Sequence, residues 1–172
     1  INQAGKTSTA TVAVSISPVN DAPVINIAST LQIAENSTAL GSVSISDVDD
    51  DDMTLSITGT DASSFSLSTS NSLSFKTAPD YETKTAYYLT LSVTDGQVTV
   101  TKDITISVTN LNDNSPVISS SATQSVSEFS KTIGSVTSTD ADGDSLTYSL
   151  SGTSASFVNL SSSGVLSLKS DA

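Results

Sequence analysis

Apolar residues recur at every second position through most of this chain. Val12, Val14 and Ile16 alternate with Ala13, Ser15 and Ser17, while Leu89, Leu91 and Val93 share one parity, as do Ile104, Ile106 and Val108. Val43 with Ile45, and Leu55 with Ile57, repeat the pattern across intervening serines. Such alternation turns one face of an extended segment toward a core and the other toward water, so each run predicts a half-buried strand. The polar positions are mostly Ser and Thr, and Thr suits a pleated surface. No stretch carries a helical stripe. A disordered Ser/Thr-rich linker would not hold one parity through so many segments, so the expectation is an all-β chain.

The strands fall into a repeat. An offset of 93 residues relates Pro23 to Pro116, Glu35 to Glu128, Gly41 to Gly134, Asp47 to Asp140, Gly59 to Gly152 and Leu73 to Leu166. Before Pro23 the offset is 92, because Asn114 has no counterpart. This register divides the chain into the terminal strand and linker of a preceding repeat (1–20), a complete repeat (21–113) and the beginning of the next (114–172). About seven short strands per repeat is the number expected of an Ig-like sandwich. The chain opens Ile-Asn-Gln-Ala-Gly-Lys, without Met or an apolar signal core, and so reads as the interior of a longer protein.

Composition narrows the chemistry. Among 172 residues there are 18 Asp and Glu against 6 basic residues, a net charge of −12 that repels nucleic acid and anionic membrane. All the basic residues are Lys, so no Arg is present to clamp phosphate. Without His or Cys there is no imidazole base, no thiolate and no zinc or copper site of the usual ligand types. Paired carboxylates could run glycoside hydrolysis, but the chain has no Trp and few other aromatics to line a cleft. We read it as non-enzymatic. No apolar run is long enough to span a membrane.

The carboxylates are clustered between strands, and the clusters recur with the repeat. They lie at Glu35, at Asp47-Val48-Asp49-Asp50-Asp51-Asp52, at Asp80-Tyr81-Glu82, at Asp95, at Asn112-Asp113-Asn114 and at Asp140-Ala141-Asp142-Gly143-Asp144. One such run alone reads as a solvated loop. The set as a whole favours a hard cation, and flexible oxygen-only ligands suit Ca²⁺ better than Mg²⁺.

In this order and spacing the motifs resemble those of cadherin repeats. Asn110-Leu111-Asn112-Asp113-Asn114-Ser115-Pro116 resembles the DxNDNxP linker, with Asn110 in place of its first Asp. Ala34-Glu35-Asn36 resembles the Glu motif of the first strand, Asp47-Val48-Asp49 and Asp140-Ala141-Asp142 the DxD motif, Asp80-Tyr81-Glu82 the DRE-type motif, and Thr94-Asp95-Gly96 the DxG-type loop. The resemblance covers essentially the whole chain. The lean Ser/Thr/Asp-rich sequence is similar to the bacterial cadherin-like repeats of large secreted surface adhesins.

The resemblance implies tandem Greek-key β-sandwiches with Ca²⁺ at each junction. Carried over by position, the junction near Asp113 would use Glu35, Asp80, Glu82, Asn112, Asp113, Asn114 (through its carbonyl), Asp140 and Asp142. The junction near Asp21 would keep a downstream half of Asn20, Asp21, Asp47, Asp49 and Asp95, holding fewer ions or none. The implied function is an extracellular, calcium-stiffened rod whose partners are the neighbouring repeats of the same polypeptide. The alternative is a module that contacts polysaccharide directly. For that, Tyr81, Tyr87 and Tyr88 are the clustered aromatics, with alternation turning Tyr87 inward and Tyr88 outward. A third expectation is exchange between copies, residues 7–17 of one molecule adding a strand to the incomplete repeat of another.

Overall fold

The computed structural model describes residues 5, 7–17 and 19–169. Residues 24–109 contain nine strand segments: β1 (Val24–Asn26), β2 (Thr30–Ala34), β3 (Ala39–Ser42), β4 (Ser44–Ser46), β5 (Thr54–Thr58), β6 (Phe65–Leu67), β7 (Ser72–Phe75), β8 (Ala86–Thr94) and β9 (Thr99–Thr109). They make seven strands, two of them broken. β3 and β4 flank Val43, whose N–H bonds the Asn71 carbonyl at 2.8 Å, so the pairs β1-β4 and β3-β7-β6 read as one layer. The chain crosses layers between β1 and β2, because β2 pairs in parallel with β9 in the facing sheet β2-β9-β8-β5.

The period-two residues form the core between these layers. Leu89, Leu91, Val93, Ile104, Ile106 and Val108 enter from β8 and β9, and meet Phe65, Leu73 and Phe75 from β6 and β7. Burying an aliphatic side chain of this size contributes about 1.5–3 kcal/mol. Tyr87 points inward, its ring 4.9 Å from that of Phe75, whereas Tyr88 on the opposite parity is 55% exposed.

One layer recurs in residues 114–169, with β10 (Val117–Ile118), β11 (Thr132–Ser135), β12 (Ser138–Thr139), β13 (Val158–Leu160) and β14 (Val165–Leu168) paired as β10-β12 and β11-β14-β13. The bulge between Thr132 and Gly134 falls 93 positions after that between Ala39 and Gly41, and the one-turn 3-10 helices Ala62–Ser64 and Ala155–Phe157 keep the same offset. Among the described residues the facing layer does not recur. Residues 147–151, which align with β5, form no strand, since β5 is held by β8 and β8 has no counterpart within the chain.

The strand expected from Val12, Val14 and Ile16 is not formed. Residues 7–17 lie outside any sheet, and these three side chains are 78%, 82% and 90% exposed. Alternation supplies an apolar face, but a strand also needs a neighbouring edge to satisfy its backbone, and none of the described residues pairs with this segment.

Candidate metal centre

Strand direction gathers the acidic groups at the two ends of the complete sandwich. β2 and β9 run parallel with Ala34 beside Thr109, so Glu35 and the linker that follows β9 emerge together. Ala86, at the start of β8, lies opposite Ser107, which brings the Asp80–Glu82 turn to the same end. At the other end Thr94 lies opposite both Thr54 and Thr99. There Asp95 meets the loop that joins β4 to β5.

Glu35 organises the first end. It continues the inward parity of Ile33 and is 1% exposed. Its Oε2 accepts the Tyr81 N–H at 2.8 Å and its Oε1 accepts the Leu111 N–H at 2.7 Å. One buried carboxylate thus holds the turn that carries Glu82 and the linker that carries Asp113. Oxygens of Glu35, Glu82, Asp113 and Asp142 lie within 4.8 Å of one another. Asp142 is shared with a second group formed with Asp140 and Asp144.

The segment after β9 is tied to the Asp140–Asp144 loop by hydrogen bonds. Asn114 donates to Asp142 from its backbone N–H at 2.8 Å and from Nδ2 at 3.0 Å, and Asn110 Nδ2 donates to the Asp142 carbonyl at 2.9 Å. Asn112 donates to Asp144, and Asn36 to Asp113. The Asn114 bonds hold the Asp142 carboxyl below the usual aspartate range. Desolvation, reinforced by Glu35 and Asp142, pushes Glu82 above its usual range.

At the opposite end Asp47, Asp49 and Asp51 bring their oxygens within 4.8 Å of one another. Asp47 Oδ1 accepts the Asp49 N–H at 2.8 Å, whereas Asp47 Oδ2 is buried without a hydrogen-bond partner. Asn20 Nδ2 donates to Asp95 at 2.9 Å, which keeps the Asp95 carboxyl below its usual range, and Asp49 accepts the Asp21 N–H at 2.6 Å. Desolvation and then Asp47 and Asp49 push Asp51 upward.

Among the residues singled out from sequence, Asp80 lies outside the three oxygen groups, with its carboxyl beside that of Glu82. Its carboxylate accepts the Thr83 Oγ1–H at 2.8 Å and the Thr83 N–H at 3.2 Å, so it closes the turn behind Glu82. Asn114 uses its N–H groups, and Asp21 joins through its backbone. Asp51 and Asp144 belong to their clusters although the DxD pattern stops one Asp short of each. Their signal lay in the i, i+2, i+4 spacing of both loops. Asp50 (φ 59°) and Gly143 (φ 80°), again 93 apart, take left-handed turns between the second and third Asp. Gln97, which donates to Asn20 Oδ1 at 2.6 Å, had no motif to reveal it.

The donor set suits a hard cation. Two oxygens on opposite sides of Ca²⁺ stand about 4.6–5.2 Å apart, against about 4.0–4.2 Å around Mg²⁺. In each group the oxygens lie within 4.8 Å of one another, close enough to share one such ion. The donors are hard oxygens.

A family model for the bacterial Ig domain matches residues 20–109, and the chain belongs to that family. Chitinase A of Pseudoalteromonas piscicida is 31% identical over 134 residues, which are 77% of this chain but 16% of that protein. The chain therefore spans about one-sixth of that relative. Among solved structures, human protocadherin-24 EC1-2 superposes with a TM-score of 0.76 at 22% identity, covering 88% of this chain and 79% of that one. Mouse cadherin-23 EC22-24 superposes at 0.69 and 23% identity, covering 90% and 56%. The fold is that of a bacterial-type, cadherin-like β-sandwich.

Proposed function

We propose that the chain is a non-catalytic spacer of a longer extracellular surface protein, in which Ca²⁺ stiffens the junctions between cadherin-like repeats. In this reading 21–113 is a complete repeat, 114–172 begins the next and 1–20 ends the one before. The observation that carries it is the convergence of Glu35 and Glu82 from one repeat, Asp113 from the linker and Asp142 from the next on one 4.8 Å site. An ion there would be held by Glu35, Glu82, Asp113 and Asp142, and a neighbour by Asp140, Asp142 and Asp144. Its contribution is charge neutralisation, together with ligand bonds to both sides of the linker. The chain's own part is to preposition the carboxylates through Glu35 and Asn114. The Asp47, Asp49 and Asp51 group is the downstream half of an equivalent junction. Extracellular Ca²⁺ modules bind in the range of about 0.1–1 mM, so the rod would stiffen outside the cell and stay loose in the cytosol. Calorimetric Ca²⁺ titration tests the reading: saturable binding is expected, weakened by Asp142→Asn, and no heat of binding would refute it.

A second reading is direct contact with polysaccharide, favoured by the similarity to a chitinase. Tyr88 is the exposed member of the Tyr81, Tyr87 and Tyr88 set. Retention on insoluble polysaccharide that is lost in Tyr88→Ala would favour this reading over the spacer.

A further inference from the structure

Asp61 is the second buried acidic residue, 8% exposed, and it sits outside every carboxylate cluster. It precedes the 3-10 turn Ala62–Ser64, and its carboxylate has two partners: Lys84 Nζ on Oδ1, and the Tyr88 N–H on Oδ2 at 2.8 Å. Its own N–H bonds the Tyr88 carbonyl at 3.1 Å. Asp61 is therefore clamped to the start of β8, and Lys84 is the movable partner. Lys84 Nζ also stands 4.5 Å from the centre of the Tyr87 ring, which packs on Phe65 and Phe75.

Lys84 lies two residues after Glu82. Its N–H bonds the Asp80 carbonyl at 2.9 Å, so its backbone closes the turn that presents Glu82 while its side chain reaches down to Asp61. Glu82 faces Glu35 and Asp142, carboxylates that repel it when no cation is bound. A turn under that repulsion would swing outward, and recovering it on binding would cost ordering entropy. The pair is not part of the repeated pattern, since the residue 93 positions after Asp61 is Ser154.

We propose that the Asp61–Lys84 ion pair is a positioning device for the metal centre, holding the Asp80–Glu82 turn ready to bind a cation at the Asp113 junction. The proposal rests on the calcium reading above. It makes Asp61 and Lys84 outer-sphere determinants of affinity although neither carries a ligand oxygen to the site.

Terbium(III), a hard oxygen-seeking probe, tests this on the whole chain. Its luminescence, sensitised through Tyr81 beside Glu82, reads the junction, and calorimetry in an Asp142→Asn background reads the Asp47–Asp51 group. Asp61→Asn and Lys84→Met should each weaken junction binding about tenfold, the lower end of what outer-sphere substitutions cost. The double variant should lose no more than either single one, Lys84→Arg should restore binding, and the Asp47–Asp51 group should be unaffected. If Asp61→Asn fails to fold, Lys84→Met, at the 39% exposed end of the pair, carries the test. Lower melting temperatures with unchanged junction affinity would overturn the proposal and leave the pair a stability element. A parent chain that binds neither terbium nor Ca²⁺ would overturn the calcium reading, and this proposal with it.

Discussion

Glu35 and Asp61 show two ways for this domain to bury a carboxylate. Asp61 has a lysine, whereas Glu35, 1% exposed, has two backbone N–H groups and three neighbouring acids. An unpaired buried charge costs several kcal/mol, and a cation at the junction removes that cost. About 10 mM Ca²⁺ should therefore stabilise the chain by roughly 2 kcal/mol per bound ion for a 0.1–1 mM site. Melting curves in EDTA and in Ca²⁺ should separate for the parent, and should separate less for Glu35→Gln and for Asp113→Asn. Asp61 responds to pH instead. The Lys84 hydrogen bond holds its folded pKa below the ordinary 3.8, so its stabilisation is complete above that value and is lost as pH falls through the lowered one. Asp61→Asn should melt roughly 5 °C below the parent at neutral pH. The gap should close on acidification below the ordinary aspartate range, and a gap independent of pH would contradict this assignment.

Among elements, the β8-β9 hairpin decides which strands acquire a core. Leu73 in β7 and Leu166 in β14 occupy equivalent positions in equivalent layers. Leu73 is 0% exposed because β8 and β9 cover it, while Leu166 is half-buried. Leu73→Ala should cost about 2–5 kcal/mol. Leu166→Ala, with less to lose, should cost about 1 kcal/mol or less. Denaturant titration of the two variants measures the difference, and equal losses would mean that a second covering layer exists in solution. The linker is the other decisive element. Its asparagines tie it to Asp142 and Asp144 without an ion, so a cation bound there would add to a geometry already begun.

For the molecule as a whole, the proposed sites at both ends of a repeat would make stiffness a property of the array. On that reading, a ligand set that draws on two repeats would convert a swinging linker into a fixed angle. Small-angle scattering in Ca²⁺ should give a longer and narrower distance distribution than in EDTA, and Asp142→Asn should make the two profiles alike. Identical profiles for the parent would leave bound ions without a mechanical role. The −12 net charge also resists close packing of the free chain, and this repulsion weakens at high salt.

Period-two alternation, an all-β architecture and a 93-residue repeat were legible in the residues, because parity and spacing are local properties that survive without contacts. The grouping of acids into between-strand clusters was legible for the same reason, and so was the inward turn of Tyr87 against the outward turn of Tyr88. Tertiary structure decided the rest. Residues 7–17 have the alternation of a strand yet form none, since a strand is completed by a partner edge that alternation cannot specify. Glu35 reads as one more loop acid until the parallel pairing of β2 with β9 buries it between two backbone donors. Asp80 matches the motif but caps its own turn, and Asp51 and Asp144 enter their clusters only because left-handed residues at 50 and 143 bend each loop. The Asp61–Lys84 pair joins positions 23 residues apart that no repeat marks. Sequence spacing names which groups can be ligands, and the register between distant strands determines which of them share one point in space.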